Sequence, residues 1–109
     1  MAEFDLSSLP APLPDYFAAG DHRATHRLFA ADAHVHDENK SHSGSEEIKA
    51  WLDGVEERYH PRYRVKAAEP DGDRTIVTFE VSGTFPGSPA TLRQAITVRD
   101  GRISELRTL

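Results

Sequence analysis

From Arg62 to Leu109 the chain reads as four short β-strands in series, and one long amphipathic helix stands just before them. This succession limits the possible folds more than any other feature. Tyr63, Val65 and Ala67 alternate with polar residues up to a turn at Pro70-Asp71-Gly72-Asp73. Thr75 to Gly83 is rich in β-branched residues and sets Val77, Phe79 and Val81 on one face. The loop Phe85-Pro86-Gly87-Ser88-Pro89 leads into Leu92 to Val98, where Leu92, Gln94, Ile96 and Val98 share a face. Asp100-Gly101 is the strongest hairpin signal, and Ile103 to Leu109 is the returning strand.

In the helix, Ile48, Trp51, Leu52, Val55 and Tyr59 fall on a single stripe. Ser45 is placed to cap it, Glu46 and Glu47 complement its dipole, and Pro61 lies just past its end. Upstream, Pro10, Pro12 and Pro14 disfavour regular structure, so residues 1–14 read as a low-order lead-in to a single domain over 15–109. A first helix spans Asp15 to Ala19 and stops at Gly20. A second is capped by Asp21 and carries Ala24, Leu28 and Ala31 on one face beside Phe29, with His22, Arg23 and His26 opposite. Ala33 to Asp37 alternates as a strand. The predicted order is α-α-β-α-β-β-β-β, an α+β fold in which helices cover a curved, mainly antiparallel sheet. A sheet curled around the long helix makes a cone that opens into a pocket.

A chain of 109 residues has room for one core. Its net charge of −5, without a basic stripe, argues against nucleic acid as a partner. The absence of cysteine excludes disulfides, zinc–thiolate sites and thiol nucleophiles. Met-Ala-Glu-Phe-Asp lacks the features of a signal peptide, and no apolar run is long enough for a membrane span, so a cytoplasmic protein without membrane contact is expected.

Tyr16-Phe17-Ala18-Ala19, Leu28-Phe29-Ala30-Ala31-Asp32-Ala33, Val35-His36-Asp37-Glu38 and Gly44 with Ile48 and Trp51 resemble the first half of a SnoaL-like domain. Val81 to Pro89 and Asp100-Gly101-Arg102-Ile103 resemble its second half. The resemblance runs from Leu9 to Leu109 and implies the cone-shaped fold of the nuclear transport factor 2-like superfamily. That superfamily includes isomerases, polyketide cyclases, epoxide hydrolases, dehydratases and proteins without catalysis, so a shared fold leaves the function open. Homodimers are also what the resemblance implies, here through an outer sheet face bearing Thr78, Glu80, Arg93, Ala95 and Thr97.

Strand alternation places Asp37 on the inner face with Val35, where a carboxylate is suited to proton transfer. Its position is similar to that of the general base in ketosteroid isomerases, whose oxyanion hole combines a Tyr and a protonated Asp. Tyr16 matches the Tyr; Gln94 stands where the second acid is expected and offers only an amide. The alternative for Asp37 is a strand end that caps the next loop, and Gln94 is equally suited to a bond within the core. Val35, Trp51, Tyr59, Leu92 and Ile96 complete the expected pocket lining. No metal is expected: His34 and His36 project outward, and His22 with His26 lack the glutamate of a helical zinc motif. The functional expectation is cofactor-free chemistry on a small apolar carbonyl compound. The alternatives are a non-catalytic binding or accessory domain for a hydrophobic metabolite, and a structural homodimer.

Overall fold

In the computed structural model, six strands form one sheet in the order β2-β1-β6-β5-β4-β3. They comprise β1 (Phe29–Asp37), β2 (Lys40–Ser43), β3 (Arg62–Asp71), β4 (Arg74–Ser82), β5 (Ala90–Arg99) and β6 (Arg102–Thr108). Only β1 and β6 pair in parallel. The helices are α1 (Leu13–Ala18) and α2 (Gly44–Tyr59). The structure describes residues 4–109, so the first three residues of the predicted lead-in lie outside it. No described helix is long and apolar enough to cross a membrane.

The long helix forms as its stripe dictates: Ile48, Trp51, Leu52 and Val55 are buried against the sheet. Its N-cap is Ser43 rather than the expected Ser45, and the Glu47 carboxylate closes the first turn by accepting from the Ser43 backbone N–H at 2.9 Å. Ser45 instead meets the His26 ring at 3.0 Å. The helix ends at His60, which adopts a left-handed conformation before the buried Pro61. The lead-in is more ordered than expected over its second half. Leu9 and Leu13 are buried in the core, and α1 starts at Leu13.

The predicted second helix is a 3-10 helix, His22–Leu28, and Ala31 already belongs to β1. With three residues per turn, His22, Thr25 and Leu28 eclipse one another and face inward, while Ala24 is exposed. The α-helical period had put His22 on the polar side. The predicted strand at Ala33 to Asp37 is the second part of β1, whereas β2 and its antiparallel pairing with β1 were missed. Its two-residue turn, Glu38-Asn39, has positive φ at both positions, and a glutamate there gives little sequence signal. In β3 a bulge between Val65 and Ala67 shifts the alternation, so Ala67 is exposed and Ala68 turns inward. On the outer face Arg93 is exposed and Thr78 and Glu80 half-buried, whereas Ala95 and Thr97 are already covered within the chain.

His22 is 1 % exposed, and neither ring nitrogen has a hydrogen-bond partner. Burial lowers its pKa from 6.5 to about 4; the Glu56 carboxylate, 3.9 Å away, opposes the shift, Arg62 adds to it and Asp21 opposes it. Below pH 6.5 the unfolded chain therefore binds a proton that the folded chain refuses, and stability falls until the pH reaches about 4. A gap of this size corresponds to roughly 3 kcal/mol. Urea titrations at pH 7 and pH 4 should show that loss, reduced in His22→Phe; an equal loss in both proteins would refute the assignment.

Candidate functional site

At the open end of the cone is a cavity of about 720 Å³. Asp37 from β1 and Gln94 from β5 both reach its wall, joined by Trp51 and Tyr59 from α2, Leu92 from β5 and Tyr63 from β3. Phe85 and Pro86 of the β4–β5 connection, Ala90 of β5, Val81 of β4 and Leu109 also line it. Val35 and Ile96 do not line it. Both pair across β6 with Leu106, two register positions along the sheet from Gln94 and Thr108, and each is only 1 % exposed. Alternation assigns a face correctly, but it carries no information about depth along the cone.

Asp37 is half-buried, and its Oδ2 accepts the Trp51 indole N–H at 3.1 Å. That bond fixes the carboxylate while leaving Oδ1 for another partner. The neighbouring Glu38 is occupied differently: it accepts the Tyr59 hydroxyl at 2.8 Å and lies 3.6 Å from Arg58. The bond to Glu38 raises the Tyr59 pKa. The hairpin turn carrying Glu38 is thus tied to the last turn of α2, which holds Asp37 beside the helix.

Gln94 is 3 % exposed; its Nε2 donates to Thr108 Oγ1 at 3.2 Å, and its Oε1 has no partner. Tyr16 is fully buried and absent from the cavity wall, so it stands behind the wall rather than in it. Its ring lies 6.0 Å from that of Tyr63 and 5.0 Å from that of Phe17. Its hydroxyl makes no direct hydrogen bond, although Tyr63 and Gln94 both act on it. Burial pushes the Tyr16 phenol well above its ordinary pKa, with smaller upward pushes from Tyr63 and Asp37. Burial raises the Tyr63 phenol too. Both therefore remain protonated donors at neutral pH.

Sequence reasoning passed over Tyr63, which faces the cavity with its ring 4.4 Å from that of His22 and 4.9 Å from that of Phe79. The signal was present, since strand alternation puts it on the same face as the inward Val65. Among the described residues no cluster of three or more His, Cys, Asp or Glu side chains is arranged to hold a metal ion.

The sequence profile of the SnoaL-like domain matches residues 13–106, which span the cone and every wall of this cavity except Leu109 and Thr108. The chain belongs to the SnoaL-like domain family. A solved structure of a candidate polyketide cyclase from Sinorhizobium meliloti is 35% identical, with 97% of this chain and 100% of that one covered and a TM-score of 0.88. A protein of ketosteroid isomerase-like fold from Catenulispora acidiphila, solved with trimethylamine, is 18% identical over 99% of this chain and 86% of its own, with a TM-score of 0.70. A candidate SnoaL-like polyketide cyclase from Jannaschia sp. CCS1 is 19% identical over 87% and 79% of the two chains, with a TM-score of 0.67. The last two share the fold of this SnoaL-like domain. No curated protein matches it by sequence.

Proposed function

We propose that this SnoaL-like domain catalyses cofactor-free proton transfer on a small, largely apolar carbonyl compound. The observation that carries the reading is Asp37: a carboxylate with one oxygen fixed by an indole N–H, on the wall of a cavity lined largely by apolar side chains. Asp37 takes a proton from the carbon beside the carbonyl. The developing oxyanion needs donors, and two groups on the wall supply them: the Tyr63 phenol and the Gln94 amide, whose Nε2 gives one N–H to Thr108 and keeps a second. Tyr16 acts from behind, through Tyr63 and Gln94. The solved relative from Sinorhizobium meliloti, described as a candidate cyclase, supports carbonyl chemistry of this type.

The test follows the first step, whatever the final product. Small cyclic ketones and enones are incubated with the protein in D2O, and deuterium uptake beside the carbonyl is followed by NMR. Uptake above the buffer rate is expected, about tenfold slower in Tyr63→Phe and less affected in Tyr16→Phe. A panel that shows no uptake while the ketones still bind would replace the enzyme with the binding-domain reading. That second reading draws on the same apolar walls, which hold a hydrophobic metabolite without any chemistry.

A further inference from the structure

Asp37 has an unusual electrostatic setting. Asp37 and Glu38 are the only charged side chains on the cavity wall among the described residues. Glu38 is balanced by Arg58, which lies over the Tyr59 ring at 5.1 Å and does not reach the cavity. Among the described residues Asp37 has no such cation, and the hydrogen bond it accepts there comes from a neutral indole. Around it stand the rings of Trp51, Tyr59, Tyr63 and Phe85, all on the same wall. Gln94 adds a second acceptor, Oε1, buried and unpartnered.

A half-buried carboxylate that shares a cavity wall with aromatic rings is well placed to receive a cation. Aromatic faces attract cations through their quadrupoles, and they attract weakly hydrated alkylammonium ions best because little hydration is lost. An ammonium N–H also satisfies an acceptor that water or an apolar ligand leaves idle. Anionic ligands meet the like charge of Asp37 and Glu38 on this wall, with no cationic side chain among its described residues to offset it, so carboxylates and phosphates are disfavoured.

We propose that this cavity binds an organic ammonium ion with an apolar body, its N–H directed to Asp37 or Gln94 and its alkyl groups set among the four rings. This capacity goes beyond carbonyl chemistry and does not require it. In an active enzyme such an ion would occupy the seat of the base and compete with the substrate.

Two probes of the same shape separate charge from apolarity. N,N-dimethylbenzylamine is protonated at neutral pH and carries one N–H; isobutylbenzene is its uncharged carbon analogue. A plain apolar pocket prefers isobutylbenzene, because the ammonium must lose hydration. The chain has a single tryptophan, and its indole N–H donates to Asp37, so one NMR resonance reports on the site. Titration should move that resonance with the ammonium probe, at an affinity at least tenfold above that of isobutylbenzene. In Asp37→Asn the preference should fall to near unity. Equal or tighter binding of isobutylbenzene to the natural protein overturns the proposal, as does an ammonium preference that survives Asp37→Asn. Ketone turnover that a saturating dose of the ammonium probe leaves uninhibited also overturns it while leaving the proton-transfer reading in place.

Discussion

Asp37→Asn is expected to keep its fold and to lose about a hundred- to ten-thousand-fold of its proton-transfer rate, the usual contribution of a positioned base. The substitution preserves shape, and the new amide oxygen still accepts the Trp51 indole N–H, so the local packing has no reason to change. What disappears is the lone pair on the second oxygen that would receive the proton. Circular dichroism should superimpose on that of the natural protein, and deuterium uptake in the ketone assay should fall toward the buffer rate. An activity that survives at full rate would show that Asp37 is not the base. Glu38 is poorly placed to substitute, because both its oxygens are engaged by Tyr59 and Arg58.

Phe79→Ala should be the most damaging single truncation in the core, at a cost of about 3–5 kcal/mol. Phe79 is fully buried on β4, with the rings of Phe17 at 5.3 Å and Tyr63 at 4.9 Å. Deleting it removes apolar contact from both of these rings at once and leaves a void that α1 and the sheet close only in part. Domains of this size are stable by about 5–15 kcal/mol, so the variant would be near its limit. Denaturant unfolding at neutral pH measures the loss, and a change below about 1 kcal/mol would contradict this account of the core. Tyr63 leans on Phe79, so the milder Phe79→Leu should loosen the cavity wall while the fold persists.

Much of this architecture was legible because burial leaves a period. The stripe on α2 and the alternation on β4 and β5 follow from one face of each element meeting the core, and Asp100-Gly101 forms its turn with both residues at positive φ. The same alternation put Asp37 and Gln94 on one inner face, and they do share a cavity wall. Other features leave no such trace. A 3-10 helix has a different period from the one applied to it, so His22 was turned outward on paper. A bulge inverts every residue beyond it, as Ala67 shows. Depth is invisible to periodicity, which is why Val35 and Ile96 were expected at a wall that begins two residues further along their strands. Tyr16 matched a family position but lies behind Tyr63, and only the packing of α1 against β3 reveals that order.

The parallel pairing of β1 with β6 also constrains how the molecule assembles. β1 and β2 can form a hairpin early, but they join the other strands only through β6, with Phe29 opposite Ile103 and Val35 opposite Leu106. During synthesis β1 must wait for almost the whole sequence to emerge before its second edge is covered. Such long-range closure slows folding and leaves an unpaired strand edge exposed in the interim. Since Asp37 lies at the end of β1, its carboxylate would be among the last cavity groups to be fixed in place, after the hairpins of β3, β4 and β5 have formed.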